Sequence, residues 1–158
     1  MTSSTETIND GWGPALSDGE RLCLRCVAGA MIPASAVLGM PGADDPAIMA
    51  DMASSVKRDR PALARLLRGI DEAAGGRLAD LDAVAASALL DRLRAADPAG
   101  FAVAEAVIAR AYYRDDRVLM AIGMEPRPPF PKGFRVDEGD WSLLDPVRDR
   151  GPIWRASE

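Results

Sequence analysis

Residues 97–113 read DPAGFAVAEAVIARAYY, and this stretch decides the fold class. Asp97 followed by Pro98 is a common helix start, because the carboxylate caps free backbone amides and proline fits the first helical position. Beyond this start, the only charged residues before the two tyrosines are Glu105 and Arg110. A helix that is apolar nearly all round needs neighbours on most of its sides. We therefore predict that it is the central helix of a bundle.

Two further helices are predicted on the N-terminal side. Ser17 and Glu20 form an S-x-x-E capping box, and apolar residues follow at helical spacing as far as Pro33. Residues 33–45 (PASAVLGMPGADD) contain two glycines and two prolines and are predicted to form a loop. Asp45 and the proline after it then repeat the capped start. The residues predicted to face inward on this second helix are Ile48, Met49, Met52 and Val56.

Three more segments have the apolar spacing of amphipathic helices. The third helix is predicted from about Pro61 to Gly75, with Leu63, Leu66, Leu67 and Ile70 on its inward stripe. The fourth is predicted over 81–95, with an inward set of Leu81, Val84, Ala85, Ala88, Leu89 and Leu93. The last, a short sixth helix over 116–122, should end at Gly123 in a left-handed cap.

No stretch shows sustained alternation of apolar and polar residues, and the many alanines favour helix over strand. The predicted fold class is therefore all-α, with a compact bundle of about five to six helices over residues 17–123. Residues 1–16 are polar and are predicted to be a flexible N-terminal segment.

The C-terminal segment 124–158 differs in composition from the rest of the chain. It holds six of the twelve prolines, two of the three tryptophans and two of the three phenylalanines. Because proline lacks an amide donor and fixes the backbone, this density predicts an extended strap rather than a helix or an inner strand. Its aromatic residues Phe130, Phe134, Trp141 and Trp154 must be buried against something. The strap either folds on its own bundle or docks on a second protein, and physical reasoning alone leaves both open.

Composition limits the function. The formal charge is −5, and no cluster of Lys and Arg lies close to the aromatic residues, which argues against a nucleic-acid binder. No apolar run approaches the length of a membrane span, and the N-terminus lacks the features of an export signal, so a cytoplasmic location is predicted. The chain contains no histidine, the commonest general base and metal ligand. The absence of histidine weakens most hypotheses in which this chain is an enzyme.

Cys23 and Cys26 form a C-x-x-C motif, which can indicate a redox dithiol or half of a metal site. A structural zinc or iron–sulfur site normally needs four ligands, and these two cysteines have no further Cys or His to join them. Both fall on the apolar stripe of the first helix. We predict small buried core residues, with redox chemistry as the alternative.

Three residues of the central helix also carry predictions. Glu105 lies in an otherwise apolar helix, where a carboxylate needs a partner, so we expect an ion pair with an arginine from another helix or from the strap. Tyr112 and Tyr113 are either the end of a core helix whose hydroxyls reach water or part of an interface.

Several segments, taken in order, resemble the gluconate 2-dehydrogenase subunit 3 family, the small subunits of FAD-dependent dehydrogenases of the glucose–methanol–choline type. The resemblance covers about residues 17–155. The matching segments are AMIPA (30–34), PGADDP (41–46), Phe101, AYYRDDRVLMAIG (111–123), RPPFPKGF (127–134) and DPVRDRGPIWR (145–155).

This resemblance implies a helical, non-catalytic small subunit of a two-component sugar, glycoside or alcohol dehydrogenase, which stabilises and clasps a large flavoprotein subunit. FAD would be held by that partner, and no cofactor, metal or catalytic residue is expected in this chain. The chain lacks the twin-arginine export signal of many family members, so the complex is predicted to be cytoplasmic, or periplasmic if a signal was removed. The residues predicted to contact the partner are Tyr112, Tyr113, Phe130, Phe134, Trp141, Trp154 and Arg155.

Two alternatives to this prediction remain. The chain could be a stand-alone helical adaptor or regulatory protein whose strap folds on its own bundle. It could also be an enzyme in which Cys23 and Cys26 have a redox role.

Overall fold

The computed structural model describes residues 14–126 and 137–151. Contacts between residues divide the chain into two units, Met1–Pro126 and Arg127–Glu158, and each unit is described by itself.

The described part of the first unit is helical. Its helices are α1 (Asp18–Met31), α2 (Pro46–Ser55), α3 (Arg60–Ala73), α4 (Ala83–Ala96), α5 (Pro98–Tyr112) and α6 (Asp116–Ala121). Single 3-10 turns cover Lys57–Asp59 and Leu78–Asp80. Across residues 14–126 and 137–151, β-type pairing is limited to one isolated antiparallel bridge between Ser35 and Met40. The all-α prediction is therefore confirmed, and none of the described helices is long and apolar enough to cross a membrane.

The predicted helix starts are present, with their capping hydrogen bonds. Ser17 accepts a hydrogen bond from the amide of Glu20, and the Glu20 carboxylate accepts one from the amide of Ser17 at 2.7 Å. Asp45 accepts from the amide of Ala47 at 2.9 Å at the start of α2. Asp97 accepts from the amide of Gly100 at 2.9 Å at the start of α5. These starts depend only on residues two or three positions apart, which explains why the sequence predicts them well.

The predicted left-handed cap at Gly123 is also confirmed, with a φ of 81°. Only glycine adopts this conformation without a steric penalty on Cβ, so the chain can leave α6 sharply at this point.

Helix α5 is central to the bundle, as its sequence predicts. It packs against α2, α3 and α4, while α1 packs against α3 and the turn at residues 78–80. The buried side chains of α5 lie on one broad face, whereas Ala102, Ala106 and Arg110 on the opposite side are exposed, so neighbours cover less of this helix than its sequence predicts. The buried side chains are Phe101, Ala104, Val107, Ile108, Ala111 and Tyr112.

The inward face predicted for α4 is partly wrong. Val84 is 80% exposed and Ala88 is exposed, whereas Leu89 and Leu90 are the buried residues of this helix. Ala86 and Leu93 pack against the core beside them. Because α4 is rich in alanine, several apolar faces fit its sequence, and the packing against α3 and α5 selects among them.

The described part of the second unit contains helical turns where the sequence predicts an extended strap. Residues Trp141–Leu144 form a 3-10 turn, and Asp145–Arg148 form the short helix α7. The proline argument does not apply to this stretch, which contains only Pro146, in the first turn of α7, where a missing amide donor is tolerated.

We predict that Ile108→Ala lowers the free energy of unfolding by about 2 to 5 kcal/mol, the usual result of emptying a fully packed site. Ile108 has no exposed surface in the centre of α5. Chemical denaturation followed by circular dichroism measures the change. Val84→Ala, at an exposed site of α4, is the control and should change stability by less than about 0.5 kcal/mol. Equal effects of the two substitutions would contradict the central position of α5.

Candidate partner-binding site

Two of the segments that carry the family resemblance lie together in the structure. The hydroxyl of Tyr112, at the end of α5, donates a hydrogen bond to the backbone carbonyl of Pro41 at 3.0 Å. The ring of Tyr113 meets that of Tyr112 edge to face, with centroids 5.4 Å apart. PGADDP and AYYRDDR are therefore joined directly, although about 70 residues separate them in the sequence.

Arg117 of α6 joins the same two segments by charge. Its guanidinium donates to both carboxylate oxygens of Asp45, at 2.8 and 3.0 Å, and also to both oxygens of Asp115. Each carboxylate at the same time caps a helix, Asp45 at α2 and Asp115 at α6. The hydrogen bonds from Arg117 are the main reason why the pKa of Asp45 and the pKa of Asp115 lie below their usual values. Their carboxylates in turn raise the pKa of Arg117.

Two further arginines extend this pattern along α5 and just beyond it. Arg114 donates a hydrogen bond to the carboxylate of Asp51 and another, of 2.7 Å, to the hydroxyl of Ser55. Arg110 pairs with Asp59, which ends the 3-10 turn directly before α3. We call Arg110, Arg114 and Arg117, with their aspartates, the arginine ladder. It connects α2 and the turn before α3 to α5 and α6.

The loop between α1 and α2 projects an apolar tip. Ser35 and Met40 exchange two backbone hydrogen bonds of 3.0 Å each, so residues 36–39 form a narrow turn. Gly39 has a φ of 62°, and the Ser35 hydroxyl accepts from the amide of Leu38 at 3.3 Å. At the tip, Val37 is 94% exposed and Leu38 is 65% exposed. We call residues 35–40 the loop tip.

The base of this loop is tightly held. The amide of Ala43 donates to the carbonyl of Ile32 at 2.9 Å, and Ala43 is fully buried. A Cβ atom on Gly42 would collide with the carboxylate of Asp44 and lie 3.0 Å from the backbone nitrogen of Ala34, so a larger residue would require these neighbours to shift. The loop tip is therefore presented from an ordered base.

The residues predicted to bind a partner differ in exposure. Tyr112 is only 2% exposed and belongs to the core, so in this conformation its side chain offers almost no surface to another protein. Its hydroxyl donates a hydrogen bond to the carbonyl of Pro41. This corrects the interpretation in which both tyrosines end a core helix with their hydroxyls in water. Tyr113 is 54% exposed, and Trp141 of the second unit is 63% exposed. Phe130, Phe134, Trp154 and Arg155 lie outside the described residues.

Sequence reasoning missed the loop tip and the arginine ladder. The signal for the loop tip was two adjacent large aliphatic residues, Val37 and Leu38, inside a segment otherwise typical of turns. The ladder had a weaker signal. Arginines at 110, 114 and 117 have helical spacing, but a turn separates α5 from α6, and the partners of the arginines follow only from the fold.

The cysteines occupy the apolar contact between α1 and α3. Cys23 is buried, and its thiol donates to the backbone carbonyl of Leu67 at 3.5 Å. Burial raises the pKa of the Cys23 thiol strongly, with the nearby carboxylate of Asp71 adding to the effect. Burial also raises the pKa of Cys26, which is partly exposed. A raised thiol pKa opposes nucleophilic and redox chemistry, so the core interpretation is the better one.

Glu105 has the arginine partner that the sequence predicts. Its carboxylate lies 2.8 Å from the guanidinium of Arg94 on α4. The pair lines a cavity of about 220 Å³ between α1, α4 and α5, whose apolar walls include Val27, Leu90 and Phe101. Among the residues that the structure describes, no three His, Cys, Asp or Glu side chains are grouped so that they could hold a metal ion.

We predict that Tyr112→Phe destabilises the protein by about 1 kcal/mol, because the Pro41 carbonyl loses its hydrogen-bond donor without a change in packing. Tyr113→Phe, at the exposed neighbour, is the matched control and should lie within about 0.5 kcal/mol of the wild type. Urea denaturation measures both. Equal stabilities of the two variants would show that the Tyr112–Pro41 hydrogen bond does not hold the loop.

The arginine ladder predicts a pH dependence. Arg117→Ala should lower the Tm at neutral pH, because Asp45 and Asp115 lose their shared partner. Since the pKa of both carboxyl groups is lowered in the folded protein, the stabilisation is fully present above their unfolded pKa of about 3.9. It is lost as the pH falls through the lower folded value.

The difference in Tm between wild type and Arg117→Ala should therefore shrink below about pH 4. Arg92→Ala removes an exposed arginine of α4 and serves as the control for the change in net charge. A difference that stays constant from neutral pH to acid would contradict the role of this pair.

Comparisons with known proteins give no family for this chain: no protein-family model matches it, and neither a curated protein nor a solved structure is significantly similar. The resemblance to the gluconate 2-dehydrogenase subunit 3 family stays a prediction that rests on the sequence segments quoted above.

Proposed function

We propose that this chain is the non-catalytic small subunit of a two-component FAD-dependent dehydrogenase of the glucose–methanol–choline type, acting on a sugar, glycoside or alcohol. Its role is to stabilise and clasp the large flavoprotein subunit. The large subunit holds FAD and carries out the oxidation, and the small subunit supplies binding surface.

The observation that carries this proposal is the loop tip. Val37 and Leu38 are held out into solvent by backbone hydrogen bonds, and the base of their loop is tied to α5 and α6 through Tyr112 and Arg117. Exposed aliphatic side chains gain free energy when a partner covers them. Because the loop is already ordered, little conformational entropy is lost on docking. This combination is typical of a protein-binding surface rather than of a catalytic centre.

Two of the segments that carry the resemblance hold the base of the loop tip, which favours the proposal. PGADDP and AYYRDDR are joined by the Tyr112–Pro41 hydrogen bond and the Arg117–Asp45 ion pair. Residues of the second segment, among them Arg114 and Arg117, also line a cleft beside α2. The contacts of Tyr112 and Arg117 hold the loop tip in one position, as expected for a subunit whose function is assembly.

The test is co-expression of the chain with the FAD-dependent oxidoreductase that the proposal expects in the adjacent reading frame. We expect the two chains to copurify, and the large subunit to be more soluble and to contain more FAD than when it is expressed alone. Absorbance of bound flavin and dehydrogenase activity with an artificial electron acceptor measure the outcome. A large subunit that is equally soluble, flavin-loaded and active alone would refute the proposal.

A variant of the loop tip tests whether this loop contacts the large subunit. Val37→Ser combined with Leu38→Ser should weaken the complex at least about tenfold, or 1.4 kcal/mol, while the stability of the isolated small subunit stays unchanged. Val84→Ser, at an exposed position of α4, is the matched control for loss of an exposed aliphatic side chain. If the control weakens the complex as much as the loop-tip variant does, the contact lies elsewhere.

A further inference from the structure

The described part of the second unit has an exposed apolar face. Four large apolar side chains within seven residues are exposed, namely Trp141, Leu143, Leu144 and Val147. We call residues 140–148 the recognition turn. Large apolar side chains concentrated in so short a segment are typical of a segment that binds another protein.

Local interactions order this segment. Asp140 accepts hydrogen bonds from the amide and the hydroxyl of Ser142, at 3.0 and 2.6 Å, and so caps the 3-10 turn. The following helix, α7, has Pro146 in its first turn and an ion pair of 3.0 Å between Asp145 and Arg148. The turn therefore has its helical shape from contacts among neighbouring residues.

The spacing of the apolar residues matches one side of this helical segment. Trp141 and Leu144 are three residues apart in a 3-10 turn, where such positions are eclipsed. Val147 is three residues further on, and residues at this spacing are neighbours on the surface of α7. Trp141, Leu144 and Val147 therefore form a short stripe, with Leu143 near its edge.

The charged residues at the two ends of this stripe differ in sign. Residues 137–151 contain five carboxylates and two arginines, and three of the carboxylates, on Asp137, Glu138 and Asp140, precede Trp141. All three are exposed. The N-terminal end of the stripe is consequently acidic, whereas both arginines, Arg148 and Arg150, lie at its C-terminal end.

From this arrangement we infer that the recognition turn docks in an apolar groove of the large flavoprotein subunit, and that basic side chains line the end of the groove that receives residues 137–140. The inference rests on the proposed function and adds the binding mode and the chemistry of the partner surface. A short helical segment in a groove uses apolar anchors three or four residues apart, as this one has. Trp141 is the main anchor, since tryptophan is enriched among residues that dominate binding energy.

The apolar stripe and the acidic residues before it should affect different rate constants of binding. Apolar anchors in a groove hold the complex together, so their loss raises the dissociation rate. Acidic residues at the rim attract a basic groove from a distance, so their loss lowers the association rate and its dependence on salt.

The experiment measures binding of full-length small subunit to the large flavoprotein from the adjacent reading frame by surface plasmon resonance. For Trp141→Ala combined with Leu144→Ala we expect affinity to fall at least about a hundredfold, mainly through faster dissociation. Val147→Ala and Val84→Ala form a matched pair with the same chemical change at two exposed sites. The first should weaken binding about threefold to tenfold, and the second less than twofold.

A second set of variants tests the basic rim. Asp137→Lys combined with Glu138→Lys should slow association about tenfold at low salt, while the wild-type association rate should fall as salt is raised. Circular dichroism of every variant checks that the helical bundle keeps its folded spectrum. A wild-type association rate that does not change with salt would overturn the basic rim.

The outcomes separate the two proposals. If the wild type binds and the Trp141/Leu144 double variant binds equally well, the docking inference is overturned and the subunit function stands. If the wild-type chain does not bind the flavoprotein at all, both are overturned. Binding that is lost in the double variant and kept in Val84→Ala supports both.

Discussion

The fold depends on the burial of α5. This helix buries one broad apolar face, which includes Phe101, Val107 and Ile108, so its stability depends on the helices that cover this face. Helices α2, α3 and α4 provide that cover, and α1 joins the bundle through α3. Small residues such as Ala104 and Ala111 are fully packed on α5, which lets neighbouring helices approach closely. Within this first unit, α5 also supports the loop tip, through the hydrogen bond from Tyr112 to Pro41.

The arginine ladder adds orientation to this apolar packing. Ion pairs with partly exposed partners contribute little free energy each, because water and salt screen them and the side chains lose entropy. Their geometry is nevertheless specific, since Arg117 reaches two carboxylates that already cap helices. We consider that the ladder selects one alignment of α2 against α5 and α6, and with it one position for the loop between α1 and α2. Apolar packing alone would tolerate small shifts along the helix axes.

The sequence predicts the features that depend on near neighbours. The capping box at Ser17, the capped starts at Asp45 and Asp97, and the terminal Gly123 are all present because a few adjacent residues determine them. Features that depend on tertiary packing were predicted less well. The alanine-rich α4 turned out to be rotated relative to the predicted face, and the partner of Glu105 was predicted by residue type but not by position. The burial of Tyr112 and the support of the loop tip depend on contacts across the whole bundle, which no local pattern encodes.

The buried thiol of Cys23 has a further consequence. Its surroundings keep it protonated and bonded to the carbonyl of Leu67, so it is chemically inert while α1 and α3 stay together. A thiol reagent or an oxidant can reach it only when these helices separate. Modification of Cys23, unlike that of the partly exposed Cys26, therefore reports the frequency of local opening at this contact.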